Sequence, residues 1–591
     1  MSPSSTGNTL DMSVYVGING AGFDPNPIST VSSTLGQPIP IDANGDLQLD
    51  LLGMTSDSVS LRLWQNVFNA SQSGSPIFDV VNAPFDGPPC TIANPHSNAV
   101  VDLNGDCLAD VFLFCEDGKG NKYFQIWIND KSDGFKLAQQ ETLPSGIQSF
   151  SFADMDRDGT VDMVFTTCSD VSMDTGVGTD CAINIAYNQQ LPLCTSSATS
   201  GFKGGKRVCR PPELLCTADP DFRFDLTPRS NNTALTTIPI SSLIPPTSTS
   251  SSAASLLVFD TTTSPPLPLP IKLGDINMDG FPDILFIAAS APHGGFLGIG
   301  DHVDTRAVLA ESIGCAGGVS GMSAVSGVGA ILGASGMLGG ESGMGKRKVA
   351  AVECTEGGGR RGFEVVKKGA ALLSQIKDAR GAAFIDIDED GTLDIMVQRT
   401  GSQGRGKVAF VQNNFFFDAF FLKAIVLNGA CDSGWCEGRN GSARYHPFGV
   451  SYTGASYKYT VLDTSGRRSA AQVSQLPQTG YHSLLPPYSF FGLGRTNNYI
   501  ENLFVGSMIK HPNPDQPSEP SEAQSQSHFV SMEGVIPNSR VVIYPPPPSS
   551  DGAEWRKELY LRPGEWIPWV TLTLVIATVL LAIVVFVFHL N

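Results

Sequence analysis

The sequence has few histidines, eight in 591 residues, and none lies in a recognisable catalytic motif. It contains no H-E-x-x-H metalloprotease signature, no G-x-S-x-G nucleophile elbow and no G-x-x-x-x-G-K-[ST] phosphate loop. It also lacks the C-x₂-C pairs that are typical of zinc sites. These absences leave no positive case for catalysis, and we predict that the protein is not an enzyme.

Basic residues are also scarce. There are 38 Lys and Arg against 57 Asp and Glu, which gives a formal net charge of −19. A surface of that charge repels phosphates, so the composition argues against nucleic-acid binding. High glycine and proline contents, 62 and 40 residues, favour an all-β protein with many tight turns.

Residues 1–30 lack the basic and apolar segments of a signal peptide, and we expect that a natural N-terminus precedes them. The other end carries an uncharged apolar run over residues 566–588, followed by a tail at 589–591. As a helix this run would span about 34 Å, enough to cross a bilayer. Basic residues precede the run and none follows it, so the positive-inside rule alone would place the bulk of the chain in the cytosol.

Cysteines and glycosylation sequons favour the opposite side of the membrane. The 12 cysteines include three pairs close in sequence. We predict disulfides between these pairs: Cys168 and Cys181, Cys315 and Cys354, and Cys431 and Cys436. Sequons occur at Asn69, Asn231 and Asn440. Together they favour a lumenal or extracellular ectodomain over a cytosolic protein with unpaired cysteines. The pairing of the other cysteines is left open: Cys90, Cys107, Cys115, Cys194, Cys209 and Cys216.

An acidic pattern with the template D-x-[DN]-x-D-G-x-x-D, followed by an apolar run, recurs five times. We number its copies loop 1 (residues 42–50), loop 2 (102–110), loop 3 (154–162), loop 4 (275–283) and loop 5 (386–394). The candidate ligands are Asp42, Asn44, Asp46, Asp50; Asp102, Asn104, Asp106, Asp110; Asp154, Asp156, Asp158, Asp162; Asp275, Asn277, Asp279, Asp283; and Asp386, Asp388, Asp390, Asp394. The first three copies start 60 and 52 residues apart, a period that suits propeller blades.

Oxygen atoms at positions 1, 3, 5 and 9 of such a loop can converge on one hard cation, so we predict structural Ca²⁺. Glycine at position 6 permits the positive φ that wraps the chain around the ion, and loops 3 to 5 have it. Loops 1 and 2 have Leu47 and Cys107 there, which leaves their geometry less certain.

Two alternatives compete with a calcium site. An EF-hand requires a glutamate at position 12 and flanking helices, whereas position 12 is never glutamate here and the flanks are strand-like. An acidic turn that binds no metal is the simpler alternative. The repetition of four oxygen-bearing side chains in register argues against it, more strongly for loops 3 to 5 than for loops 1 and 2.

The coarse organisation follows from composition and periodicity. We predict a β-propeller over residues 1–414, with flexible insertions of low complexity at 230–270 and 314–362. Alternating apolar and polar runs predict a membrane-proximal β-sandwich over 415–548. A juxtamembrane spacer at 549–565 and the membrane helix complete the chain.

The acidic units resemble the FG-GAP repeats of integrin α-chain propellers. With HPFGVSY, QVSQLPQTGYHSLLPPYSFFGLGRTNNYIENLFVG and the C-terminal helix, the whole chain resembles the T-cell immunomodulatory protein family. The resemblance implies a seven-bladed calcium-loaded propeller, incomplete here, with type I topology and a Cys315–Cys354 pair closing a lengthened loop. The chain departs from the family's organisation at both ends, because no signal peptide is visible at the start and no basic cytosolic tail follows the helix.

These features predict a single-pass membrane glycoprotein that acts as a binding, adhesion or cell-modulating module at the plasma membrane or an internal membrane. The protein partner is unknown from sequence. One alternative is a lumenal secretory-pathway factor that binds other membrane proteins. Another is a propeller that binds or processes glycans.

Overall fold

A computed structural model describes the chain between Ser2 and Leu590 with gaps. The longest gaps cover residues 291–302, 315–360, 429–448, 509–527 and 546–554. Strands dominate the described residues, which confirms the predicted all-β class.

Six largely antiparallel sheets follow one another along the first 411 residues, and we number them blades 1 to 6. Blade 1 contains β1 (Ser2–Pro3), β2 (Thr9–Val14) and β5 (Ile28–Thr34), beside a small hairpin of β3 (Gly17–Ile18) and β4 (Gly22–Phe23). Blade 2 contains β6 (Ile39–Ile41), β7 (Asp50–Met54), β8 (Leu61–Asn66) and β9 (Phe78–Asn82). Blade 3 contains β10 (Phe85–Asp86), β11 (Ala99–Val101), β12 (Asp110–Glu116), β13 (Lys122–Asn129) and β14 (Phe135–Thr142). The described residues thus form six blades, where the family resemblance predicts seven.

Blades 4 to 6 carry the longer connections. Blade 4 contains β15 (Ile147–Ala153), β16 (Asp162–Thr167), β19 (Ala182–Ala186) and β22 (Leu235–Pro239). Its connections hold β17 (Asp170–Val171), β18 (Gly178–Thr179), β20 (Phe202–Lys203), β21 (Lys206–Arg207) and the 3₁₀ turn Pro212–Leu214. Blade 5 contains β23 (Ser255–Leu256), β26 (Lys272–Gly274), β27 (Asp283–Ala289), β28 (Thr305–Gly314) and β29 (Arg361–Val365). It is preceded by α1 (Ile240–Leu243), and β24 (Phe259–Asp260) and β25 (Leu267–Pro268) form a side hairpin. Blade 6 contains β30 (Ala379–Ile385), β31 (Asp394–Arg399) and β32 (Val408–Val411), after α2 (Ala371–Gln375).

Each acidic loop joins two antiparallel strands that pair within one blade, from blade 2 to blade 6: β6–β7, β11–β12, β15–β16, β26–β27 and β30–β31. The pairing register is the same in all five hairpins: the residue before position 1 lies opposite the aspartate at position 9. The pairs are Ile41–Asp50, Val101–Asp110, Ala153–Asp162, Gly274–Asp283 and Ile385–Asp394. The repeat in sequence is therefore a repeat in structure, and it places all five loops at equivalent blade ends.

The structure contradicts part of the first predicted insertion and locates the second one between two strands. The prediction of a flexible insertion over 230–270 is wrong for its ends, because β22 is the outer strand of blade 4 and β23 pairs with β27. Buried Ile238 and Leu256 supply the apolar contacts that the Ser/Thr-rich composition obscured. The insertion at 314–362 connects β28 to β29, and Gly314 pairs directly with Arg361.

Two sheets form the predicted sandwich. The first contains β33 (Phe420–Asn428), β34 (Val450–Ser451), β37 (Ser489–Gly494), β40 (Ser539–Tyr544) and β41 (Arg556–Leu561). The second contains β35 (Ser456–Leu462), β36 (Arg468–Ser474), β38 (Ile500–Gly506) and β39 (Phe529–Val535). Because β41 pairs with β40 over its whole length, the predicted spacer at 549–565 contains the last strand of the sandwich.

The C-terminal helix α3 runs over Trp566–Leu590, two residues beyond the predicted end. Its stretch Trp569–Leu590 has a mean hydropathy of 3.0 and no buried share, so its apolar side chains lie outside the protein core. One apolar helix of this length matches the predicted membrane anchor.

The propeller and the sandwich share one hydrophobic core. Ile39 and Val111 from the blades lie in the same buried cluster as Leu422, Tyr457 and Phe491 from the sandwich. Blades 2 and 3 therefore pack directly against the sandwich.

Four disulfides join all the cysteines that the described residues contain. The predicted Cys168–Cys181 bond is present. The pairs left open are resolved as Cys90–Cys115, Cys107–Cys216 and Cys194–Cys209. The predicted pairs Cys315–Cys354 and Cys431–Cys436 and the sequons at Asn69, Asn231 and Asn440 lie outside the described residues.

Candidate metal centre

The five acidic loops follow one backbone path. Positions 4 and 6 have a positive φ in every loop, whichever residues stand there. In loops 1 and 2 position 4 is glycine, and Leu47 (φ 64°) and Cys107 (φ 69°) take the left-handed conformation at position 6. In loops 3 to 5 the glycine is at position 6, and Arg157, Met278 and Glu389 take it at position 4. The absence of glycine at position 6 therefore does not change the path of loops 1 and 2.

The aspartate at position 9 fixes each loop at its base. Its Oδ2 accepts a hydrogen bond from the N–H of position 2, at 2.8–3.1 Å. Its Oδ1 accepts one from an N–H near the end of the strand that pairs with the other edge of the hairpin's second strand, at 2.7–2.9 Å. These donors are Asn66, Asn129, Asn188, Ser312 and Asn413. This residue thus ties three parts of one blade together.

The aspartates at positions 1 and 5 shape the turn itself. Oδ2 of position 1 accepts the N–H of position 6 in all five loops, at 2.7–3.0 Å. Oδ1 of position 5 accepts the N–H of position 7, at 2.8–3.0 Å. The sequence pattern therefore encodes an Asx-turn framework, as the metal-free alternative requires. The same folding brings several carboxylates together.

Carboxylate clustering is greatest in loops 3 and 5, which carry four aspartates each. One oxygen from each of Asp154, Asp156 and Asp162 lies within 4.8 Å of the other two. Asp386, Asp388 and Asp394 form the equivalent group in loop 5. Loops 1, 2 and 4 have asparagine at position 3, so an amide oxygen takes the place of one carboxylate.

Burial and mutual repulsion disfavour the charged form of these aspartates. Burial, followed by the charge of Asp46, raises the pKa of Asp42 to about 8. Burial, followed by the charge of Asp102, raises the pKa of Asp106 to about 7. Burial and neighbouring carboxylates also raise the pKa well above its usual range for Asp110, Asp154, Asp162, Asp275 and Asp283. A cation in the loops would relieve this cost by pairing with the charged forms.

One buried oxygen in loop 5 has no donor. The Oδ1 of Asp386 forms no hydrogen bond with the described residues, although the Asp386 side chain has no exposed surface. A buried carboxylate oxygen is stable only when a donor or a cation satisfies it. The donor set of loop 5 therefore fits a hard cation.

The sandwich contacts loops 1 and 2 through buried side chains. The hydroxyl of Tyr452 donates to Asp42 Oδ2 at 2.7 Å. Lys458 Nζ lies 3.3 Å from Asp102 Oδ2, and neither side chain is exposed. Gln472 Nε2 also donates to Asp102 Oδ2, at 3.1 Å.

The sandwich contacts loops 3 to 5 as well. The backbone N–H of Gln472 donates to Asp154 Oδ2 at 2.9 Å. Gly494 N donates to the carbonyl of Met278 in loop 4, at 2.9 Å. Lys423 Nζ forms an ion pair with Asp386 Oδ2 in loop 5.

A side chain from another part of the protein donates a hydrogen bond to a backbone carbonyl at the tip of each loop. In four of the five loops the donor is a lysine or an arginine. The donor–acceptor pairs are Asn428 to Leu47 O, Lys458 to Gly105 O, Arg210 to Asp158 O, Arg157 to Asp279 O and Arg540 to Glu389 O, at 2.7–3.2 Å. Asn428, Lys458 and Arg540 come from the sandwich, whereas Arg157 and Arg210 come from blade 4 and its connections.

Sequence reasoning identified the loop aspartates and missed the sandwich side chains that meet them. One signal was present: Lys458 lies between Tyr457 and Tyr459 in a strand that is otherwise free of charge. A lysine inside such a strand is expected to be paired when it is buried.

Hairpin repeats with acidic connections, joined to a sandwich and an apolar helix, define an FG-GAP-type propeller protein. Comparison with family models agrees: the FG-GAP-like repeat matches residues 102–165, and the ITFG1 C2 domain matches residues 447–560. The membrane-proximal sandwich is therefore of the C2 type that the second description names.

The relatives make the assignment more specific. The chain is 26% identical over 568 residues to the T-cell immunomodulatory protein of Rattus norvegicus, covering 94% of this chain and 72% of the relative. It is 25% identical to the Homo sapiens protein, over 96% of this chain and 73% of the relative. The Plasmodium falciparum homolog is 26% identical over 89% of this chain and 64% of its own length. The resemblance to the T-cell immunomodulatory protein family is therefore confirmed.

Proposed function

We propose that this chain is a single-pass membrane protein whose propeller and sandwich form one calcium-stabilised, non-enzymatic ectodomain that binds other proteins. The observation that carries this proposal is the contact of the sandwich with all five acidic loops. Side chains that form hydrogen bonds and are buried between two domains keep those domains in one fixed arrangement. A rigid shape at the end of a membrane anchor suits a module that presents its outer surface to a partner.

Calcium is the cation that the loops suit best. Positions 1, 3, 5 and 9 would hold it through carboxylate and amide oxygens, which are the ligands that Ca²⁺ prefers. Loops 3 and 5 are the strongest candidates, because they contain the grouped carboxylates and the unsatisfied Oδ1 of Asp386. The ion would neutralise carboxylates that otherwise oppose burial, so its role would be structural.

Membrane attachment would place the ectodomain outside the cytosol. Four disulfides favour an oxidising compartment. Helix α3 follows the last sandwich strand after a short link, so the sandwich would lie next to the bilayer. Type I topology follows if the ectodomain is lumenal or extracellular.

Topology is tested by protease protection of the natural gene product in sealed microsomes from the cells that express it. We expect a tag near residue 9 to be protected and a tag after Asn591 to be digested. The reverse pattern would overturn the type I assignment.

Binding is tested with the purified full chain reconstituted outward-facing in fluorescent liposomes. We expect saturable attachment to cells in calcium and loss of attachment after the cell-surface proteins are digested with protease. Liposomes carrying only helix α3 are the matched control. Equal attachment of both kinds of liposome would contradict a binding role at the cell surface.

A further inference from the structure

A cavity of about 160 Å³ lies between blades 4 to 6 and the sandwich. Its wall is mostly apolar and includes Leu273 of β26, Phe384 of β30 and Phe491 of β37. A cavity of about 150 Å³ inside a protein is large enough to hold benzene. This cavity therefore has room for a molecule of about six to eight non-hydrogen atoms.

Lys272, the first residue of β26, is a buried cation in the wall of this cavity. The residue is 9% exposed, and its ammonium group donates to the carbonyl of Ser483. An ammonium group has three donors, so one carbonyl does not satisfy it. Burial alone lowers the pKa of Lys272, to about 7, so no carboxylate of the described residues balances its charge. Lysines are rarely buried unless an anion pairs with them, and the cavity is the side from which an anion can reach this one.

The titratable groups around Lys272 are themselves basic. Burial, followed by the charge of Lys272, lowers the pKa of His482 to about 3. Burial lowers the pKa of His96 to about 4. The carboxylates in the cavity wall belong to Asp154 and Asp275, which accept hydrogen bonds from their own acidic loops. An anion beside Lys272 would therefore meet a cation and neutral imidazoles rather than carboxylates.

Two buried oxygen atoms of the cavity wall have no hydrogen-bond donor. These are Oε1 of Gln472 and Oγ of Ser474, which form no hydrogen bond with the described residues. Gln472 lies at the acidic-loop end of the cavity, because its N–H donates to Asp154. Lys272 lies two residues before the end of β26 that enters loop 4, about 7 Å away along the strand. The cavity therefore offers a cation toward one end and hydrogen-bond acceptors toward the other.

We propose that this cavity binds a small organic carboxylate of about six to eight non-hydrogen atoms, with its carboxylate on Lys272 and a hydroxyl or amino group toward Gln472 and Ser474. The apolar side chains of the wall would contact the hydrocarbon body of the ligand. The proposal does not depend on calcium, since none of these three residues is a predicted metal ligand. Because the ligand would contact both domains, its binding would stabilise the folded ectodomain.

The test compares two compounds of one length and different charge. Calorimetry on the full chain in detergent measures the affinities of 5-hydroxypentanoate and of the neutral pentane-1,5-diol. We expect the carboxylate to bind at least ten-fold more tightly than the diol. Equal affinities would overturn the proposal. Saturable binding of neither compound would show that the cavity holds water only, and would overturn it as well.

Two variants locate the binding site. Lys272→Met removes a buried charge without a counter-charge, so the variant should fold, and we expect it to bind the two compounds with affinities within about two-fold of each other. Ser474→Val fills part of the cavity and should weaken the binding of both compounds. Lys407→Met, at an exposed position, is the matched control and should keep the preference for the carboxylate. A preference that survives in Lys272→Met would contradict the assignment of the carboxylate to this cavity.

Discussion

Loops 2 and 3 occupy equivalent places in neighbouring blades and share one backbone path, yet their charges are balanced in different ways. Loop 2 has three carboxylates, and the buried ammonium of Lys458 lies against its first aspartate. A disulfide from Cys107 to Cys216 holds it as well. Loop 3 has four carboxylates, of which three are grouped within ligand distance of one another. Its first aspartate meets a backbone N–H from the sandwich. The same sequence pattern is thus stabilised in two ways. In loop 2 the ammonium group of Lys458 balances the carboxylates, whereas the grouped carboxylates of loop 3 suit a metal ion.

The largest expected effect comes from removing the cation of loop 2. Lys458→Met leaves Asp102 buried without its ion-pair partner, and breaking a buried pair costs about 3–5 kcal/mol. We expect a fall of this size in unfolding free energy, in calcium and in chelator alike. Denaturant titration of the full chain in detergent measures it. Lys557→Met on the exposed strand β41 is the control. A similarly small loss of stability in both variants would show that Lys458 does not stabilise loop 2 by pairing with Asp102.

Loop 3 should behave in the opposite way. Asp156→Ala removes one ligand oxygen and one charge from the grouped carboxylates, so we expect stability in calcium to fall by up to about 3 kcal/mol, the linkage energy of a site filled at one hundred times its Kd. In chelator the variant should be as stable as the parent or more so, because repulsion is reduced. Thermal melts in both conditions test this, with exposed Asp174→Ala as control. A loss of equal size in chelator would indicate a structural role without metal.

The pH dependence of the chelated protein separates protonation from metal binding. Asp42 and Asp106 have folded pKa values of about 8 and 7, far above those of the unfolded chain, so the folded state binds more protons. Stability in chelator should therefore rise as pH falls from 8 to 6.5. Burial lowers the pKa of Lys272 to about 7 and also lowers the pKa of His96 and His482, so these three groups oppose the trend, against a larger number of carboxyl groups with raised pKa values.

Saturating calcium should remove or reverse that trend, since the ion competes with protons for the same oxygens. Melting temperatures at the two pH values, with calcium and with chelator, provide the measurement. Rising stability toward pH 8 in chelator would contradict the raised carboxyl pKa values.

The smallest expected effect concerns backbone strain. Leu47 adopts a φ of 64° at a position where loops 3 to 5 have glycine. Leu47→Gly relieves about 1 kcal/mol of left-handed strain, but it also removes a partly buried side chain that packs against the core, so we expect the unfolding free energy to change by less than about 1 kcal/mol. Gly159→Ala in loop 3 is the reciprocal change, and its Cβ would lie 3.0 Å from that of Ala470. A loss well above about 1 kcal/mol in Leu47→Gly, with no loss in Gly159→Ala, would show that the two loops do not share equivalent backbone requirements.

The aspartates could be predicted from sequence because their roles are local. Position 9 reaches the N–H of position 2, and position 1 reaches the N–H of position 6, so spacing alone encodes the turn. Lys458 and Asp102 are 356 residues apart, and no local pattern brings them together. The strand over Leu235–Pro239 was missed because a serine- and threonine-rich surrounding obscured a short apolar alternation.

The parallel pairing of β33 with β40 bears on the order in which the chain is made. Leu422 pairs with Ser539, 117 residues later, so the sandwich sheet cannot close until almost the whole ectodomain has been synthesised. The blades precede it and fold first during vectorial synthesis. Their acidic loops are therefore synthesised before the sandwich strands that cover them, so a cation could reach the loops from solvent until those strands are in place.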